Sequence, residues 1–241
     1  MDRSLIILTL TGLAVLIALA GSSPGLSPLA GAAALAGWLA YALAVHTTAT
    51  RARLTRFGAA NRVTLLRGLL VALMIPFLLV PDPGWLPVAL GAAALALDGV
   101  DGALARRTGT ASPFGARFDM ETDALTVLML SALVAARGQV GPWVLASGAL
   151  RYLYVAAGWI WPVLRRPPPP SFARKLVCVL QIGGLLLVLA PILTPPWPSI
   201  VAGAALALLL WSFGRDVWGL LRDKGMAESS AAPYLSDIGG V

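Results

Sequence analysis

The chain has 241 residues, 58% of them hydrophobic and 12% charged, with a mean hydropathy of +0.82 and a formal charge of +7. That composition excludes a soluble globular domain, and long unbroken apolar runs exclude a β-barrel, whose strands alternate. One cysteine, Cys178, and one histidine, His46, exclude an internal disulfide, a multi-cysteine metal site and a His-cluster site.

Eight apolar segments follow in chain order, near 5–21, 29–46, 63–80, 85–105, 118–136, 142–164, 176–193 and 200–221. Each is close to the roughly 20 residues that a helix needs to cross a bilayer. The fold class is therefore all-α, a polytopic transmembrane helix bundle. The first segment, with Arg3 before it and Ala18-Leu19-Ala20 near its end, resembles a secretory signal peptide. Its apolar run is long and its basic flank weak for that role, so it reads as an uncleaved span. Between the second and third segments, Arg51, Arg53 and Arg56 alternate with Leu54 and Phe57, which predicts a helix lying on an anionic leaflet. His46 falls at a helix end. Cys178 reads as a small apolar packing residue.

Lys and Arg concentrate in alternate loops. Arg51, Arg53, Arg56 and Arg62 precede the third segment, and Arg106, Arg107 and Arg117 separate the fourth from the fifth. Arg165, Arg166, Arg174 and Lys175 separate the sixth from the seventh, and Arg222 and Lys224 follow the eighth. The opposite loops, 22–28, 81–84, 137–141 and 194–199, carry only Asp82 and Arg137. Basic loops stay on the cytoplasmic side, so both termini are expected there, in the cell (inner) membrane. Anionic lipid explains the positive charge, and nucleic acid is not expected as a partner.

Five of the 11 acidic residues lie between positions 98 and 123. Asp98 and Asp101 are three apart and share one helix face; Asp119 and Asp123 are four apart and share another. Gly109, Thr110, Ser112 and Pro113 predict a turn between the two helices, which would bring four carboxylates to one point at the cytoplasmic membrane edge. Ionisable groups are expensive there and mark function. Clustered carboxylates repel one another unless cations sit among them, and an all-oxygen donor set suits hard divalent ions. Mg2+ or Mn2+ is the expected cofactor, with two ions. Glu121 points away from Asp119 and Asp123 and reads as peripheral. An ion site in a cation- or proton-coupled transporter is another reading of the same acids.

The spacing Asp98-x-x-Asp101-Gly102-x-x-Ala105-Arg106, eight residues, Gly115-x-x-x-Asp119-x-x-x-Asp123 resembles the signature of the CDP-alcohol phosphatidyltransferase family at all eight fixed positions. The six segments from 63 to 221 resemble the six-helix family core, and the first two lie outside it. The resemblance implies a two-span extension over 1–49 and the phosphatidyltransferase membrane domain over 50–222, while residues 223–241, small and polar, read as a disordered cytoplasmic tail. It implies transfer of a phosphatidyl group from CDP-diacylglycerol to a small alcohol or polyol, phosphorylated or not, with release of CMP. The alternative within the family is a CDP-aminoalcohol:diacylglycerol phosphotransferase. Partners would be CDP-diacylglycerol, membrane lipid and the acceptor alcohol, and family members are commonly homodimers.

By motif position, Asp98, Asp101, Asp119 and Asp123 would ligate metal, with Asp123 also the general base. Gly102, Ala105, Arg106 and Gly115 would contact the nucleotide and phosphates. Asn61, Thr64 and Arg67 recur on one face at the start of the third segment and resemble a family stretch, which implies further nucleotide or phosphate contacts. Arg151, Arg174, Lys175 and Arg215 sit in or beside apolar spans and are candidate acceptor-binding residues, since arginine grips phosphate bidentately. Around Arg174, Lys175 and Gln181, the Gly, second Lys and Thr of phosphatidylglycerophosphate synthases are absent. That argues against glycerol 3-phosphate as acceptor.

Overall fold

A computed structural model of the chain describes residues 3–22, 27–54, 56–80, 84–108, 112–165 and 171–236, without the side chains of 20, 22, 105, 106 and 223–236. Among the described residues all regular structure is helical. Eight α-helices run α1 Arg3–Ser22, α2 Pro28–Arg51, α3 Ala59–Met74, α4 Leu86–Thr108, α5 Pro113–Ala136, α6 Leu145–Ile160, α7 Phe172–Leu189 and α8 Trp197–Ser236. They match the eight predicted segments one for one.

Local chemistry sets several of the ends. Ser27 caps α2, its hydroxyl accepting from Ala30 N at 3.2 Å, with Pro28 in the first turn. Ser112 caps α5 in the same way through Gly115 N at 3.0 Å, again followed by a proline. Pro76 has no N–H to continue an α-helix, and the chain tightens into a 3-10 turn over Ile75–Leu78 where α3 ends. Short 3-10 turns also flank α6, at Pro142–Val144 and Pro162–Arg165.

Five helical stretches are long and apolar enough to cross a membrane: Pro28–Arg51, Ala59–Leu78, Leu86–Leu104, Phe172–Leu189 and Trp197–Arg222. Three of the eight predicted spans fall outside that set. The apolar part of α1, Arg3–Leu19, is short. α5 carries Arg117, Asp119, Glu121 and Asp123 in its first half, and α6 has 16 residues. Many large apolar side chains face outward, among them Phe172 at 82% and Trp159 at 74% exposure. Lipid is the solvent that would tolerate them.

One sequence expectation meets a different structure. The segment after α2 does not form a surface helix. Residues 52–54 and 56–58 are turn and irregular backbone, Arg53 has φ +49°, and Phe57 is buried, 1% exposed. So short a segment gains more from inserting Phe57 beside Phe118 (ring centroids 6.1 Å apart) than from nucleating a helix. At the other end, α8 runs as helix to Ser236.

The interior has two apolar clusters. Met74, Leu130, Val134, Leu185 and Leu189 centre one, between α3, α5 and α7. Leu5, Trp38, Phe57, Leu65 and Phe118 centre the other and join α1 and α2 to α3 and α5. Close helix approach depends on glycine at α6, where a Cβ on Gly148 would stand 2.5 Å from Leu128 Cα. Arg137 donates to the carbonyls of Leu189 and Gly84 and so ties the α5 and α7 ends to the loop before α4.

Candidate active site

The four motif aspartates converge. Asp98 and Asp101 project from the last turns of α4, Asp119 and Asp123 from the second and third turns of α5. The proline and serine cap that start α5 fix its direction, while residues 109–111 of the intervening turn lie outside the described residues. The α-helical periods of three and four place each pair on one face, as the spacing predicts.

Arg67 of α3 stands at the centre. It is buried to 1%, yet its Nη1 lies 3.1 Å from Asp98 Oδ1, 2.9 Å from Asp101 Oδ2 and 2.5 Å from Asp119 Oδ1. Its Nη2 pairs with Asp123 Oδ1. One guanidinium therefore meets four carboxylates, which leaves three formal negative charges unmatched among these five side chains when all are ionised. Such an excess at a membrane edge is unfavourable without a further cation.

The four aspartates are not equivalent. Asp98, Asp119 and Asp123 each offer a carboxylate oxygen, and those atoms lie within 4.8 Å of one another. Their side chains are 28%, 39% and 22% exposed, so the group opens outward. Asp101 is 4% exposed and turns inward, where Thr64 Oγ1 donates to its Oδ2 at 3.0 Å. The donor set, all oxygen and net negative, fits a hard divalent cation such as Mg2+ or Mn2+. Asp98, Asp119 and Asp123 are the residues positioned to hold it.

Thr64 and Arg67, expected to contact nucleotide or phosphate, both face the carboxylate cluster through Asp101 Oδ2. Asn61, 9% exposed, packs on α5: a Cβ on Gly115 would lie 3.0 Å from Asn61 Oδ1. Gly115 is thus the point where α5 closes on α3. Gly102 is half-buried on α4. Ala105 and Arg106 lie on the same helix, but their side chains are outside the described residues.

The acceptor candidates divide into two places. Arg151 of α6 pairs with Glu121 at 2.5 Å, so the acid read as peripheral does face away from the cluster and meets an arginine there. Arg174 Nε donates to Asp216 Oδ2 at 2.9 Å, and Arg215 lies 3.6 Å from the same carboxylate and 3.2 Å from Ser171 Oγ. Lys175 is exposed beside them.

Two neighbours of the site were not legible in the sequence. Cys178 of α7 places Sγ 3.7 Å from Asp123 Oδ2, a contact that its reading as an apolar packing residue misses. Tyr41 of α2 places its hydroxyl 3.0 Å from Thr122 Oγ1, next to Asp123 in the chain. No sequence signal pointed to either, because both contacts cross between helices distant in sequence.

Neither a curated protein nor a solved structure gives a match. A family model does, and it runs from Phe57 in the second apolar cluster to Trp211 of α8, so that it encloses Arg67 and all four converging aspartates. With well over half of the chain matched, residues 57–211, this protein belongs to the CDP-alcohol phosphatidyltransferase family.

Proposed function

We propose that the chain is a phospholipid-synthesis enzyme of the cell (inner) membrane that moves a phosphatidyl group from CDP-diacylglycerol to a small alcohol or polyol and releases CMP. The observation that carries this reading is the convergence of Asp98, Asp119 and Asp123 to within 4.8 Å beside a buried arginine. When bound, a divalent ion supplies electrostatic neutralisation of the pyrophosphate. Phosphoryl transfer asks the protein mainly for positioning and charge stabilisation, and the site has both elements.

Asp123 is the general base. It takes the acceptor hydroxyl proton as the acceptor oxygen bonds to the diacylglycerol-side phosphorus. The bond from that phosphorus to the bridging oxygen breaks, and its electron pair leaves with CMP. Cys178 beside Oδ2 is a weak donor, so it leaves that oxygen basic. Asp98 and Asp119, with Asp123, hold the ion; Asp101 sets Arg67 and Thr64 behind them. Gly102, Ala105, Arg106, Gly115 and Asn61 are assigned to the nucleotide side. Arg151, Arg174, Lys175 and Arg215 are assigned to the acceptor, with the Arg174–Asp216–Arg215 group as the cationic end. The clustered arginines near the site support its facing the cytoplasm.

The test is CMP release from purified protein in detergent with Mg2+, CDP-diacylglycerol and a panel of polyols and polyol phosphates. Acceptor-dependent CMP is expected. No CMP with any acceptor, while a family member run alongside is active, overturns the reading. Release only from a soluble CDP-aminoalcohol with diacylglycerol would reverse donor and acceptor. Metal-dependent ion flux in liposomes without CMP would replace it by transport.

A further inference from the structure

We propose that Tyr41, in the two-helix extension before the family-matched region, is a positioning residue for the carboxylate site, and that the extension is thereby part of the active-site architecture. The inference rests on the proposed function for its catalytic meaning, but its geometry stands apart from it. Tyr41 belongs to α2, while the family match begins at residue 57. Its hydroxyl donates to the Thr64 carbonyl of α3 at 3.3 Å and lies 3.0 Å from Thr122 Oγ1 of α5. It therefore bridges the helix that carries Arg67 and the helix that carries Asp119 and Asp123.

The two contacts fall beside the site. Thr64 places its own Oγ1 3.0 Å from Asp101 Oδ2, and it precedes Arg67 by one helical turn. Thr122 is wholly buried, follows Asp119 by three residues and adjoins Asp123. A change in the α3–α5 spacing at Tyr41 would move Arg67 relative to two of the carboxylates it joins. Constellations of this kind work only when held to within about 0.5 Å, and residues outside the site commonly do the holding.

Tyr41 is itself held in place. A Cβ on Gly68 would lie 2.1 Å from its ring, so only glycine admits the ring against α3. Trp38 and Phe118 pack on it with ring centroids 5.9 and 6.1 Å away. Trp38 in turn donates from Nε1 to the Thr9 carbonyl at 3.1 Å and fits against Gly12, which carries the support back to α1. Aromatic side chains of this size order a junction at low entropic cost.

The experiment measures Mn2+ binding to the full chain in detergent by electron paramagnetic resonance titration, without nucleotide, beside a thermal melt and CMP release. Tyr41→Phe keeps the ring and removes the bridge. It should weaken Mn2+ binding at least about fivefold, some 1 kcal/mol, with an unchanged melting temperature. Thr122→Val should do the same, Thr122→Ser should restore binding, and the double variant Tyr41→Phe/Thr122→Val should be no worse than either alone. Unchanged Mn2+ affinity in Tyr41→Phe, or a loss matched by a fall in melting temperature, overturns the inference. Wild type that binds Mn2+ but releases no CMP would sink the proposed function and leave Tyr41's role standing. Wild type that binds no Mn2+ would overturn both.

Discussion

Arg67 Nη1 lies 2.9 Å from Asp101 Oδ2, and the two side chains are 1% and 4% exposed, the most deeply buried ion pair among the described residues. A buried pair contributes little net stability as a pair, but removing one partner strands a charge. The relationship makes Arg67 the internal counter-ion of the site and Asp101 its anchor.

Replacement of Arg67 should therefore damage folding and activity together. Arg67→Ala leaves four carboxylates facing one another, and a loss of about 3–5 kcal/mol is expected. Arg67→Lys should also fail, by a factor of about ten or more in CMP release, because an ammonium cannot reproduce a guanidinium that serves three carboxylates through Nη1 and a fourth through Nη2. Thermal melts and CMP assays of both variants check this; a fully active Arg67→Lys would show that the ion pairs do not organise the site.

Asp123→Asn should abolish transfer, by a factor of about 10²–10⁴, while most CDP-lipid and metal binding survives. Asp98 and Asp119 still offer two carboxylates, and the amide oxygen of the variant keeps one donor. Binding measured by calorimetry, set against CMP release, separates the roles. A collapse of metal binding equal to the loss of activity would make Asp123 a ligand first.

Removal of divalent ions by a chelator should stop CMP release, and either Mg2+ or Mn2+ should restore it. Asp119→Asn, at the most exposed of the three ligand positions, should shift the metal dependence to higher concentration before it lowers the maximal rate. Activity that persists under chelation would remove the ion from the reaction.

Cys178→Ala should leave CMP release within about threefold of wild type, since a thiol is a weak hydrogen-bond donor and alanine leaves only a small void. A larger loss would mean that Asp123 needs the thiol for its orientation.

Arg151→Ala should raise the acceptor Michaelis constant more than the donor's. The Glu121 pair at 2.5 Å gives a second handle: Glu121→Gln frees the guanidinium and should lower the acceptor constant if the acceptor is phosphorylated. Equal changes for donor and acceptor would remove Arg151 from the acceptor side.

Much of this protein could be read from its residues in order. Helix positions followed from apolar runs of bilayer length, while the Ser27 and Ser112 caps and the prolines after them set two of the starts in the structure. The aspartate pairs followed from helical period, because residues three or four apart share a face in any α-helix. The surface helix expected near Arg53 did not form, because a tertiary partner for Phe57 outweighed a local pattern.

What the sequence by itself determined is a helical membrane chain with four carboxylates on two adjoining helix faces, since both follow from periodicity and composition within short windows. Only the tertiary structure decided what stands among those carboxylates and behind them. Arg67 as counter-ion, Asp101 turned inward to Thr64, Cys178 at Asp123, and Tyr41 bridging α3 and α5 are contacts between residues 23 to 81 positions apart. Such pairs depend on how helices cross, and helix crossing is set by glycines and aromatic rings meeting across the bundle, which no local pattern encodes.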